Sequence, residues 1–449
     1  MPAKFGIGSL GMFGLPKYGY GVCLARMAVL LDLLAIDRAR LQRSSVVVTG
    51  SNGKGSTAAF CASIARACGL RTGMFTSPHL YRFNERFQID GVPIGGDDLA
   101  RLVARIKAAV ADVSNRSGEQ FGAFEAMFAL ACLHFQESEC DFAVFEAGIG
   151  GRYDPVRLAG SSVTCVTSVD YEHVDLLGDS LQLIVSDKSD ACVCGGTIIY
   201  GENCRGLRPH IVEYNRNRGV TSLFVRDEVG IGGEAISDSA QRFDFGFREY
   251  DFRCLEPALL GAFQFNNAAI AITLLLLWLE RARPAKAFTG IEAAVRSGLH
   301  DTRWPGRLEV IGQSPLTVVD VGHTPDGIGQ SLASLKQAYG AQAWILVVGV
   351  SFDKKAGEIV GALAPSFDTI ICTTAHHKGG DATALATAAR KINPQADVRI
   401  AATIEDAFSA SQTLAASLNR KIYVAGGLFT AIEFAAVARG MRAKDLDFF

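Results

Sequence analysis

No uninterrupted apolar run in this sequence is long enough to cross a bilayer. The longest apolar run, Ala268 to Leu279, falls well short of the roughly 20 residues that a spanning helix needs, so we read it as a buried helix. The first residues lack the basic-then-apolar pattern of a secretory signal. Basic runs are lacking too: 44 Lys plus Arg are interspersed with 46 Asp plus Glu, which argues against nucleic-acid or membrane-surface partners and leaves small-molecule substrates. Eleven cysteines are scattered without a framework, as expected of reduced thiols in the cytoplasm. Cys192 and Cys194 are the one close pair, but a single intervening residue does not fit the usual zinc spacings, and they receive no role. Internal repeats and low-complexity tracts are absent from the sequence.

What is present fits an ordinary globular protein, with 49% hydrophobic and 20% charged residues. At 449 residues the chain exceeds what one core usually organises, so two domains, or three, are expected. Apolar positions at helical spacing run from Ala25 to Leu41. A β-branched strand, Ser44 to Thr49, then ends at a glycine-rich turn, and an Ala-rich helix covers Thr57 to Cys68. Further strand signals at Phe142 to Phe145, Val163 to Ser168 and Thr197 to Tyr200 alternate with helical stretches, the pattern of a mostly parallel α/β sheet. Leu223 to Leu255 reads as a β-rich edge, and Gly261 to Glu280 as helix. Ser297 to Pro305 reads as polar and turn-rich. Beyond it, strands at Leu316 to Val321, Trp344 to Val350, Thr369 to Thr373 and Lys421 to Ala425 alternate with helices. The expectation is an α/β protein with a phosphate-loop nucleotide-binding domain over residues 1–299 and a smaller C-terminal α/β domain over 300–449.

The strongest single signal is Gly50-Ser51-Asn52-Gly53-Lys54-Gly55-Ser56-Thr57, set between a strand and a helix. There backbone N–H groups and a helix N-terminus can bind phosphate. Glycines let the backbone close around the anion, Lys54 can neutralise β/γ-phosphate charge, and the Ser56 hydroxyl can ligate Mg²⁺. The spacing departs from the common form because Gly55 separates Lys54 from Ser56.

The segment VTGSNGKGS, Val48 to Ser56, resembles the nucleotide loop of the Mur ligase superfamily in its folylpolyglutamate synthase/dihydrofolate synthase branch. Ser77-Pro78-His79-Leu80 followed by Arg82-Phe83-Asn84-Glu85-Arg86 is similar to that branch's mobile loop. Glu146-Ala147-Gly148-Ile149-Gly150-Gly151-Arg152-Tyr153-Asp154 is similar to its glycine-rich metal segment. The likeness continues through His173, Lys188, Gln264, Asn267, Pro305-Gly306-Arg307 and Asp320-Val321-Gly322-His323.

The resemblance implies an ATP-dependent ligase of Mur-ligase-like fold that activates a carboxylate as an acyl phosphate and joins it to an amine. Its substrates would be L-glutamate and a folate or pteroate-like acid. Two anions, the carboxylate and the γ-phosphate, must approach one another, and Mg²⁺ screens them. By resemblance Ser56 and Glu146 hold one Mg²⁺, and Glu146 and His173 a second. Lys188 matches a lysine that the family carbamylates. Asn267, Arg307 and Asp320 match residues at the base and ribose of ATP. Ser77, Arg82, Phe124, Arg152 and Asp154 border the acid substrate, and His323 matches a residue near the incoming amino acid. Phe124 reads equally well as plain core, and His323 as a turn histidine. Family members are commonly monomers, which implies a monomer here.

The chain departs from the family pattern on the substrate side. Asp154-Pro155-Val156-Arg157 stands where Asp-Ala-Thr-Asn is usual, Phe263-Gln264 where His-Gln is usual, and Asp320-Val321-Gly322-His323-Thr324-Pro325 where Asp-Gly-Ala-His-Asn-Pro is usual. Around Lys188, Ser186-Asp187-Lys188-Ser189-Asp190 replaces the usual Arg-Glu-Lys-Ala-Gly. Two alternatives therefore stay open: a paralogous ligase acting on another pterin-like or small carboxylic acid, and a non-catalytic ATP-binding regulator.

Overall fold

The computed structural model describes residues 13–16, 19–21, 23–237, 240–282, 290–446 and 448. The aliphatic runs form strands: β1 (Ser45–Thr49), β2 (Thr72–Phe75), β3 (Phe87–Ile89), β4 (Val92–Pro93), β5 (Phe142–Glu146), β6 (Val163–Val166), β7 (Thr197–Tyr200) and β8 (Thr221–Phe224). They make one sheet in the order β4-β3-β2-β5-β1-β6-β7-β8, parallel from β2 to β8 with β3 and β4 antiparallel at one edge. Every residue of β1 is buried, because a parallel sheet carries helices on both faces. Side chains alternate between those faces. Val46 and Val48 pack with the Lys54–Ala67 and Phe263–Ala282 helices, and Val47 with the Leu24–Leu33, Gly96–Ser117 and Ala123–Glu137 helices.

The Phe263–Ala282 helix is long and apolar enough to span a membrane by length and composition, yet most of it is buried inside the protein. There it packs against Ile64, Phe142 and Phe243, as expected of a core helix.

Three differences from the sequence reading have local causes. The span Ala25 to Leu41 is two helices, Leu24–Leu33 and Arg38–Ser44. The chain turns at Ala35, whose φ is 56°, and Asp37 accepts the Arg40 N–H to start the second helix. The expected β-rich edge divides. Its first part, β8, closes the main sheet, whereas β9 (Gly230–Ile236), β10 (Gln241–Phe247) and β11 (Tyr250–Leu255) form a separate antiparallel sheet. Phe243, Phe245 and Phe247 alternate onto the inner face of that sheet, and Phe243 meets Phe265 at 5.3 Å between ring centroids. The polar stretch near Ser297 is the end of a helix, Ile291–Asp301. Gly298 lets that helix approach the backbone of Ile64, where a Cβ would lie 2.5 Å from the Ile64 Cα.

A third sheet contains β12 (Glu309–Gln313), β13 (Leu316–Val319), β14 (Trp344–Val348), β15 (Thr369–Cys372), β16 (Asp397–Ile400) and β17 (Lys421–Ala425). Its order is β12-β13-β17-β14-β15-β16, parallel apart from β12. Apolar clusters cover both of its faces.

Candidate active site

The glycine loop follows β1, and its helix starts at Lys54, three residues before the sequence-expected start. Gly53 precedes it with φ 88° and supplies no side-chain cap. The first backbone N–H groups of the helix therefore lack intrahelical acceptors and face the loop, the arrangement that binds anions. Three glycines are there for space. A Cβ on Gly50 would clash with the backbone and side chain of Thr167, and one on Gly53 would lie 2.5 Å from Asn267 Oδ1. One on Gly55 would lie 2.8 Å from the indole of Trp304. That last contact explains the extra glycine between Lys54 and Ser56, since Trp304 closes over it. Lys54 Nζ folds back on its own loop, donating to the carbonyls of Gly50 (2.7 Å) and Ser51 (3.3 Å). These contacts leave the ammonium at the mouth of the cradle. Ser56 is buried, and its Oγ takes a long hydrogen bond from Gln264 Nε2 (3.4 Å), which is itself paired with Asn267 (2.9 Å). Thr57 Oγ1 is buried with no hydrogen-bond partner.

Glu146 is the last residue of β5 and pairs with Val48 of β1, so strand adjacency sets its carboxylate beside the loop. Oε2 accepts the Ser77 N–H at 3.0 Å. Burial raises its pKa, against the opposing pull of Lys54, the Ser77 N–H, Arg307 and Arg86. Arg86 is buried too. Desolvation pulls its guanidinium down to about 10 against Glu146 and Glu85, and its Nε donates to His79 Nδ1 at 2.9 Å.

On the other side of β1, the loop after β6 carries Ser168, whose carbonyl and Oγ accept the N–H groups of Ser51 (2.9 Å) and Asn52 (2.8 Å). Farther along, Glu172 meets Lys188 Nζ at 2.6 Å, with Lys188 only 1% exposed. Desolvation holds the Lys188 ammonium below its ordinary value, opposed by Glu172 and helped by Lys54. Burial pushes Glu172 up, but Lys54 and Lys188 outweigh it and hold the carboxylate low. His173 stands next in a left-handed conformation, φ 46°. Its surface is exposed, but partial desolvation, then the cations Lys188, Lys354 and Lys54, pull its pKa down against Glu172, which favours a neutral ring with a lone pair to offer.

Asp320, at the end of β13, is buried. Its Oδ1 accepts from Gly322 N (2.9 Å) and Ser331 Oγ (3.1 Å), and its Oδ2 from Leu308 N (3.1 Å). These bonds fix the turn after Arg307, whose charge acts on Asp320, Glu146 and His323 together. His323 keeps an exposed edge, yet the cleft walls around it, then Lys354, Arg307 and Lys54, hold its imidazole down to about 4.

The substrate-side residues are placed differently. Phe124 is half-buried on Phe75, with centroids 5.6 Å apart, and its ring faces Gly148 where a Cβ would come within 2.9 Å. Asp154 turns inward. It accepts from Gly148 N (2.9 Å), Ile149 N (3.0 Å) and Val156 N (3.0 Å), and burial pushes it up to about 6. Arg152 is bound to Asp190 (2.6 Å) and Tyr214 (3.1 Å). Arg82 is exposed, and only its backbone takes part in the loop, donating to Glu85 (2.8 Å). Trp304, Glu172 and Lys354 have no standing in the sequence reading, because each is brought to the cleft by tertiary packing and none belongs to a local motif. Arg86 enters that reading only as the end of the mobile-loop motif, and its approach to Glu146 comes from the fold.

Comparison with known proteins agrees with this arrangement. Residues 306–428 match the family model described as Mur ligase, glutamate ligase domain. The chain is 30% identical over 339 residues to the dihydrofolate synthase/folylpolyglutamate synthase of Bacillus subtilis, covering 75% of this chain and 77% of that protein. It is 30% identical over 343 residues to the folylpolyglutamate synthase of Lacticaseibacillus casei, covering 76% and 79%. The fold superposes on Mycobacterium tuberculosis folylpolyglutamate synthase complexed with ADP with a TM-score of 0.83 and 26% identity, over 94% of this chain and 96% of that one. The chain belongs to the folylpolyglutamate synthase/dihydrofolate synthase family of the Mur ligase superfamily, a family of ATP-dependent ligases that form a C–N bond.

Proposed function

We propose that the chain adds L-glutamate to the free carboxylate of a folate, or to dihydropteroate, through an acyl phosphate formed with ATP and Mg²⁺. The observation that carries this reading is the junction of β1 and β5, where the phosphate loop and the buried Glu146 carboxylate lie side by side.

The residues present suit the nucleotide and the metal. In the Gly50–Thr57 cradle a Cβ on Gly50, Gly53 or Gly55 would strike Thr167, Asn267 or Trp304, and Lys54 can exchange two carbonyl partners for phosphate oxygens. Ser56 Oγ, Glu146 and the neutral His173 would hold Mg²⁺. Among the described residues no three His, Cys, Asp or Glu side chains converge on a point, which suits an ion that takes much of its shell from water and phosphate. When bound, Mg²⁺ screens the two anions that must meet.

The chain's own groups do the rest. Lys54 and Arg307 bring positive charge to the site where negative charge develops during phosphoryl transfer. Glu146, held by the Ser77 N–H, stays in register with the loop. Asn267 backs the loop at Gly53, and Asp320 orients the turn carrying Arg307. His323, neutral at physiological pH, would border the incoming amino acid. Lys188, buried and depressed in pKa, has the character of a lysine that takes up CO₂, its carbamate then supporting the metal site. Ser77, Arg82 and Phe124 border the acid substrate. The proposal divides the chain into units 1–299 and 300–449 and places it in the cytoplasm as a monomer.

A second reading, a related acid as acceptor, has specific support. Asp154 and Arg152, expected on the substrate side, are bonded within the protein. Mass analysis of products formed from MgATP and glutamate with dihydropteroate or tetrahydrofolate decides between them. A product heavier by one glutamyl unit supports the folate reading. Its absence with both acceptors, from protein that binds ATP, supports the second.

A further inference from the structure

We propose that Arg439 is a positioning residue that registers the two halves of the nucleotide site, by joining the turn that carries Arg307 to the loop that holds Glu146. The role of the site rests on the ligase reading above, and the coupling rests on a continuous path of contacts. Glu309 Oε2 accepts the Gly306 N–H at 2.8 Å, one residue before Arg307. The other oxygen, Oε1, accepts from Arg439 Nη2 at 2.5 Å. Arg439 Nη1 donates to Tyr81 Oη at 2.5 Å, and the guanidinium carbon lies 5.3 Å from the Tyr81 ring centroid. Burial pushes the Tyr81 phenol up to about 12, so it meets the cation as a neutral hydroxyl.

Tyr81 sits in the middle of a loop that leaves the first sheet after β2 and re-enters it at β3. The loop's ends are tied by the Thr76 N–H to the Arg86 carbonyl at 3.1 Å, while its middle rests on the third sheet. Glu85 accepts from the N–H groups of Leu80 (2.9 Å) and Arg82 (2.8 Å), which makes the segment a compact turn. Leu80 and Tyr81 pack into the apolar cluster around Val319, Val424 and Ile432 of the third sheet and its helices. At the loop's start the Ser77 N–H is bonded to Glu146 of the first sheet. A shift of the third sheet against the first must therefore break the Arg439–Tyr81 contact or draw Ser77 away from Glu146. One arginine with two forks, one on each side, is suited to this task where a lysine is not.

The test compares wild type, Arg439→Ala, Tyr81→Phe and the double variant. ADP release is followed across ATP concentrations, together with the rise in Tm that MgATP causes without acceptor. Each single variant should raise KM for ATP roughly fivefold, as loss of one charged hydrogen bond would, with the ligand-free Tm little changed. The double variant should be no worse than Arg439→Ala, the sign of one shared interaction. Unchanged KM for ATP, additive effects, or a fall in ligand-free Tm alone would overturn the proposal. If wild type shows no acceptor-dependent ADP release, the ligase reading fails separately. The MgATP-dependent Tm rise then decides the role of Arg439 by itself.

Discussion

Val48 of β1 and Glu146 of β5 are partners in adjacent parallel strands. Two residues after Val48 the chain enters the phosphate loop, so the pairing fixes the distance between carboxylate and loop by backbone hydrogen bonds, with no reliance on side-chain contacts. Ligand sites of open α/β sheets form at the carboxyl ends of strands in this way. Replacing Glu146 by Gln keeps its shape and removes its charge. Turnover should fall by about 10²–10³-fold with near-wild-type Tm, measured by ADP release and thermal melting; wild-type turnover would remove Glu146 from the metal site.

Gly53 has φ 88°, and a Cβ there meets Asn267 Oδ1 at 2.5 Å. Gly53→Ala should therefore cost about 1–3 kcal/mol in backbone strain and weaken nucleotide binding as well. Urea denaturation and titration with ATP measure the two effects, and a variant with wild-type affinity would show that the loop tolerates a side chain.

Lys188 is buried and bonded to Glu172, which is 24% exposed. In protein whose Lys188 carries no carbamate, Lys188→Met leaves that carboxylate without its partner, beside the Lys54 charge and the Ser51 side chain. A loss of about 2 kcal/mol in unfolding free energy is expected, below the range for fully buried pairs because Glu172 retains some water.

Asp154 contributes to the pH dependence of stability, alongside Glu433, whose pKa burial also raises. Burial raises its pKa from an ordinary 3.8 to about 6, so the folded state binds a proton that the unfolded state has released. The stability from that proton is fully present below about pH 4 and lost as pH rises through about 6. Urea midpoints across pH 4–7 should fall more in wild type than in Asp154→Asn, and parallel curves would contradict the shift.

Much of this was legible locally. The phosphate loop, the strands around it and the core helix ending at Ala282 depend on short patterns of glycine, β-branched and apolar residues, and they lie close to where those patterns put them. What the sequence could not carry depends on distant partners. Asp320 reads by resemblance as a residue at the ribose of ATP, yet Leu308, Gly322 and Ser331 enclose its carboxylate. Arg152 lies in the segment that resembles the glycine-rich metal segment and is expected by resemblance to border the acid substrate, yet Asp190, 38 positions away, claims its side chain. Trp304 gives no signal until the fold sets it over Gly55. The break at Ala35 was hidden because the apolar spacing continues across it.

The most direct measurement is ADP release by purified protein with MgATP and glutamate, with dihydropteroate, with tetrahydrofolate and with no acceptor, for wild type and Lys54→Ala. The expected result is release that depends on one of the acceptors and falls by orders of magnitude in Lys54→Ala while the fold survives. Acceptor-dependent release of equal rate in both proteins would contradict the phosphate assignment, and no stimulation by either acceptor would contradict the folate assignment.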